Sequence, residues 1–222
     1  MFSAVRSSLL ILLATSVSTA LAQCTGCGYL GAYNSTSGAF VGAVARTLGS
    51  QGIFTLEKTG DRSNYLAVVG FANATNEGDV LLLQILSPVD PTVPYVSIVV
   101  GGTSCNSLPI PDGNTAWGAE IVPSDGFPRG PFPLPADTRS TLLGGYGNLS
   151  TFCGEPMAFA VRSNFGRDTL APVWTDQSGT QHSLIIIHDI TNNRLAVSPS
   201  LVAYAAGSSN PVVEELFFAF FT

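Results

Sequence analysis

Four kinds of side chain in this sequence could do chemistry: two histidines, four cysteines, fifteen carboxylates and a set of aromatic rings. His182 and His188 are the two histidines. On one continuous strand they share a face, but six residues at ~3.3 Å each separate them by about 20 Å, too far to share a metal. Asp189 follows His188, yet neighbours on a strand point to opposite faces. A Ser-His-Asp nucleophile also lacks its Gly-x-Ser-x-Gly turn, which Gly102-Thr103-Ser104-Cys105 does not supply. Both histidines therefore read as structural or surface residues.

Paired carboxylates could hydrolyse a glycosidic bond if two stood about 5 to 10 Å apart across it. Glu57 and Glu120 lie in or near strand-like stretches, where an inward carboxylate would be perturbed by desolvation. A wet sheet face is the plainer home for both.

Cys24 and Cys27 form a CxxC, but no helical pattern follows as a thioredoxin-like site requires. Zinc is equally poorly served, because Cys105 and Cys153 stand alone instead of as a second CxxC. Four cysteines in an exported chain read as two disulfides. The preferred pairing sends Cys24 and Cys27 separately to Cys105 and Cys153, since long loops gain most from closure. Cys24–Cys27 with Cys105–Cys153 is the alternative.

Aromatic rings on a β scaffold offer flat apolar faces to sugar rings, with amides and charged groups at the rim. Trp117, Phe127, Arg129, Phe132, Tyr146 and Trp174 are the candidate ligand-binding residues. Core packing is an equally good reading of each tryptophan. Gly144-Gly145-Tyr146-Gly147 reads as a flexible turn, and without a following lysine or helix start it is no phosphate cradle. No cofactor and no metal is expected.

The elements that must hold these residues begin after a leader. Arg6, the apolar run Leu9 to Leu13 and Ala20-Leu21-Ala22 form a secretory signal peptide over residues 1–22. Cleavage would leave residues 23–222, expected as a single secreted β domain of ordinary size. No segment offers the ~20 apolar residues of a membrane-spanning helix. The net charge of −6 becomes −7 without Arg6. A chain with so few basic residues is no nucleic-acid binder and has no electrostatic hold on anionic lipid. Asn34, Asn73 and Asn148 head Asn-x-Ser/Thr sequons, the expected glycosylation sites of an exported protein.

Short β-branched and aromatic runs punctuated by Gly, Asn, Asp, Ser and Pro predict an all-β fold, an antiparallel sandwich or jelly-roll-like barrel. Expected strands are residues 40–48, 53–58, 65–71, 80–86, 95–100, 157–162, 183–190, 200–204 and 212–221. Val80 to Leu83 and Leu184 to Ile187 are apolar on both parities, as in strands covered on both faces. The run Leu216 to Phe221 reads as a final core strand, with an oligomer or membrane contact as the alternative. Seven of the fourteen prolines fall between Pro109 and Pro135, predicting a long irregular covering loop that disfavours regular pairing.

Export, the β pattern and the lack of a catalytic motif point to non-catalytic binding of carbohydrate or a cell-wall polymer. A polysaccharide hydrolase using carboxylates and a self-associating wall protein are the alternatives.

Overall fold

The computed structural model describes residues 27–71, 80–101, 105, 117–126, 134–156, 158–206 and 212–221. Strands β1 (Cys27–Asn34), β2 (Phe40–Leu48), β3 (Phe54–Glu57), β4 (Ala67–Phe71) and β5 (Val80–Ile85) come first. They are followed by β6 (Tyr95–Val100), β7 (Ala119–Ser124), β8 (Ala136–Ser140), β9 (Ser150–Glu155) and β10 (Phe159–Asn164). The last are β11 (Arg167–Thr175), β12 (Gln181–Ser183), β13 (Ile185–Asp189), β14 (Arg194–Ser198) and β15 (Val213–Phe221). The fold is all-β, and among the described residues no helix is long and apolar enough to cross a membrane.

Every strand pairing is antiparallel, and the pairings close on themselves. From β1 the hydrogen bonds run to β15, β13, β14, β7, β6, β5, β4 and back to β1. A shorter circuit leaves β15 through β11 and β10 to β5, by way of Leu170 opposite Phe218 and Phe159 opposite Leu81. Closure of this kind removes free sheet edges that would otherwise template association.

Alternation along β1 and β15 places the core. Leu30, Ala32, Leu216 and Phe218 face inward into the main apolar cluster with Phe54, Phe159, Trp117 and Trp174. Tyr29, Tyr33, Phe217 and Phe221 take the outer face. There Phe217 stacks on Tyr33 at 5.4 Å and Phe165 stacks on Phe217 at 5.7 Å, so a row of rings covers the sheet from outside. The C-terminal run is thus a core strand, paired along β1 from Leu216 to Phe221.

Leu81 to Leu83 are buried on both parities, as their unbroken apolarity implied. Ile187, on the outer side of β13, packs with Ala196 and Tyr204 under the helix Leu201–Ala206. That helix corrects the strand expected over residues 200–204. Ser200 Oγ accepts from Ala203 N at 3.0 Å and Ser200 O accepts from Tyr204 N at 3.1 Å, a capped first turn that alanine then propagates. The single strand expected over 183–190 is also corrected: β12 pairs with β11, whereas β13 pairs with β14 and β15. Regular pairing enters the proline-rich stretch too, because β7 lies within it. Pro123 needs no donor there, and its carbonyl accepts from Thr141 N at 3.2 Å.

Cys105 bonds to Cys153 on β9, which overturns the two long links from Cys24 and Cys27. Cys27 is itself disulfide-bonded, while Cys24 lies outside the described residues. Backbone proximity decides the pairing, and chain-closure entropy does not.

Phe218 is fully buried on the strand shared by both circuits. Phe218→Ala should lower unfolding free energy by ~3–5 kcal/mol in a denaturant titration. A loss below ~1 kcal/mol would show that β15 does not anchor the core.

Candidate functional site

Two interlocked turns build a concavity on the surface. After β2, the chain turns through Ser50–Gly52, with Gln51 at φ 64° and Gly52 at φ 73°. After β8 it turns through Leu143 at φ 65°. Left-handed backbone costs a residue other than glycine ~1–2 kcal/mol, and here the two such residues hold each other: Leu143 N donates to Gln51 O at 2.7 Å. Beside them Thr141 Oγ1 donates to Gly52 O at 2.6 Å. The contact demands glycine, because a Cβ at position 52 would lie 1.7 Å from Thr141 O.

The turns and the loop carrying Val89 enclose a cleft of about 450 Å3 lined by Thr47, Gln51, Val89, Leu143 and Tyr146 among others. Val89 and Leu143, 50% and 58% exposed, are two of the eight exposed large apolar side chains among the described residues. Tyr146 Oη donates to Arg46 O at 3.5 Å, and burial pushes its hydroxyl up to about 12. Arg46 is held at the margin by its Nη2, which donates to Ser87 O at 3.3 Å. An apolar wall, a phenol, a hydroxyl and a carboxamide can together contact the C–H face and hydroxyl groups of a neutral polar ligand.

The acids gather elsewhere. Arg194 donates through Nε to Asp189 Oδ2 at 3.1 Å and through Nη1 to Glu120 Oε1 at 3.3 Å. Burial pushes Glu120 up to about 7 despite the guanidinium. Burial also opposes ionisation of Asp189, but hydrogen bonds from Asn192 and Arg194 outweigh it and hold the carboxyl below its ordinary value. Arg194 thus links Asp189 and Glu120 in one part-buried cluster. Glu57 is not raised by burial: it accepts from Thr59 N at 2.8 Å at the surface, which holds its carboxyl below the ordinary value.

The most buried carboxylate is one that the sequence did not announce. Glu155 ends β9 fully inside, where Oε2 accepts from Thr175 N at 2.8 Å and Oε1 meets Thr175 Oγ1 at 2.6 Å. Desolvation pushes it up to about 8. Its sequence, Ser-Thr-Phe-Cys-Gly-Glu, carries no apolar alternation that would mark the last residue as inward.

Each histidine is used as a tie. His182 Nε2 meets Asp176 Oδ2 at 2.9 Å, and this contact with that of Ser178 holds Asp176 well below the usual carboxylate range. His188 bridges Glu214 Oε1 and Asn193 Oδ1, each at 2.9 Å, and Asn193 clamps the Leu56 backbone with both ends of its carboxamide. Among the described residues no group of three or more His, Cys, Asp or Glu side chains could hold a metal ion.

Of the aromatic candidates among the described residues, only Tyr146 lies on the cleft. Trp117 and Trp174 are buried, 4% and 2% exposed, and meet edge to face at 5.7 Å in the core. Phe127, Arg129 and Phe132 lie outside the described residues, as does Asn73. Asn148 is exposed, whereas Asn34 sits in a tight turn with Oδ1 accepting from Thr36 N and Ser37 N. Comparison with known protein families, curated proteins and solved structures found no match.

Glu155 and Glu120 retain protons in the folded chain at pH values where an unfolded chain has released them. Their stabilising contribution is complete below the ordinary glutamate value of 4.5 and is lost as pH rises through about 7 and about 8. Urea unfolding from pH ~5 to ~8 should show stability falling with pH, with Glu155 supplying at most about 1.4 kcal/mol per pH unit. Glu155→Gln should flatten much of that slope; an unchanged slope would mean that Glu155 is ionised in the fold.

Proposed function

We propose that this chain is a secreted, disulfide-bonded glycoprotein that acts without catalysis by binding carbohydrate of an extracellular or cell-wall surface, with the Tyr146 cleft as its ligand site. One observation carries the reading: Tyr146, exposed Leu143 and Val89, and the polar side chains of Thr47 and Gln51 converge on one cavity of about 450 Å3. That volume suits one or two sugar rings, and a largely preformed cleft limits the ordering cost of binding. The backbone strain at Gln51 and Leu143 supports it further, since strain persists where surrounding structure fixes it and concentrates at ligand sites. A signal-like leader and exposed Asn148 favour an extracellular setting.

The hydrolase alternative draws support from the divergent pKa shifts of Glu120 and Asp189, but neither acid lines the cleft. A glycan and polysaccharide array probed with the mature protein separates the two, provided the glycans are checked for cleavage afterwards. Specific binding should weaken about tenfold in Tyr146→Ala, equivalent to ~1.4 kcal/mol, with the far- and near-ultraviolet circular dichroism retained. Binding that survives Tyr146→Ala and Gln51→Ala equally would remove the cleft as the site. Shortened glycans would replace binding with hydrolysis.

A further inference from the structure

A residue that can be modified stands beside the lining of the cleft. Gly144, Gly145 and Tyr146 line the cavity, and Asn148 N donates to Gly145 O at 3.3 Å. A Cβ placed on Gly144 would lie 1.8 Å from Asn148 O and 3.6 Å from Asn148 Cγ, so the asparagine side chain stands directly against the lining. Asn148 is exposed and begins the sequon Asn148-Leu149-Ser150. Asn34 differs, because its Oδ1 is engaged by Thr36 N, Ser37 N and Ser37 Oγ within its own turn. Leu143, which precedes Gly144 in the chain, leaves an apolar side chain 58% exposed on a left-handed backbone.

We infer that Asn148 carries an N-linked glycan whose first sugars lie over Leu143 and Gly144 and narrow the mouth of the Tyr146 cleft. In the transfer, Asn148 Nδ2 displaces diphosphate from the anomeric carbon of a lipid-diphosphate-linked oligosaccharide. An N–C bond forms, the anomeric C–O bond breaks, the Nδ2 proton is released and the lipid diphosphate leaves. A sugar has an apolar C–H face that suits Leu143, and its hydroxyls remain in water. The covering sugars would screen entry into the site, so ligands that reach it must be slender or end-on. This control of access rests on the cleft being the ligand site; the modification and its position do not.

The test uses the full chain secreted from a eukaryotic host, in three forms: as secreted, after enzymatic removal of N-glycans, and as Asn148→Gln. Peptide mass mapping reads occupancy, and hydroxyl-radical footprinting reads the exposure of Leu143 and Val89 without any ligand. The expected result is a glycan on Asn148, with Leu143 oxidised severalfold faster in both forms that lack it. An unmodified Asn148 overturns the inference, and so does an occupied Asn148 with equal Leu143 oxidation in all three forms. Running the same forms on the glycan array keeps the two claims apart. Silence there, beside a changed footprint, would remove the ligand site and leave the covering glycan in place.

Discussion

Strand β15 hydrogen-bonds along both edges, and the fold depends on that double pairing. One edge runs the length of β1, while the other is shared in succession by β13 and β11. Without it neither closed circuit exists, and β1, β11 and β13 become edges of an open sheet. The strand can serve this way because it is apolar on both parities: Leu216 and Phe218 fill the interior, and Phe217 and Phe221 lie under the outer ring row. A closed wall fixes where turns can emerge. The Ser50–Gly52 turn and the turn carrying Leu143 emerge close enough to lock together, and the cleft forms between them.

Polar groups in the interior follow the same economy. Glu155 is accepted inside because Thr175 satisfies both carboxyl oxygens and desolvation keeps the proton on. Arg194 ties β13 to β7 through Asp189 and Glu120, and His188 joins β13, β15 and the turn next to β3. Glu155, Asp189, Arg194 and His188 are hydrogen-bonded into the fold, whereas Glu120 Oε2 is buried without a partner among the described residues. The cleft differs: its floor is bound backbone, but its walls present a phenol, apolar side chains and amide functions to an outside partner.

Much of the fold was legible wherever packing and period agreed. The strands over 40–48 and 95–100 read directly from their β-branched runs, and Leu81 to Leu83 read as doubly covered because no polar residue interrupts them. Strand β1 escaped notice because Cys-Gly-Tyr-Leu-Gly-Ala-Tyr-Asn is rich in glycine and alanine, and its pairing comes from the far end of the chain. Strand β8, Ala-Asp-Thr-Arg-Ser, is almost wholly polar and is held by β9 alone along most of its length. Tertiary pairing overrode local preference in both. Of the residues that line the cleft, only Tyr146 stood out in the sequence. Gln51, Val89 and Leu143 come from three separate segments, and their convergence depends on closure, which leaves no local pattern. The tryptophans misled as ligand candidates for a related reason: a large ring suits a sugar and a core equally well, and here the core took both.

The central claim is that sugar enters the cleft between the two turns, and a heteronuclear NMR titration of the mature protein with cell-wall oligosaccharides tests it most directly. Backbone shifts should move together at residues 47–52, 89 and 143–146, with the rest of the sheet unchanged. Shifts centred on Phe40 and Phe165 at the outer ring row, or on Glu120 and Arg194, would contradict the account and place the ligand elsewhere.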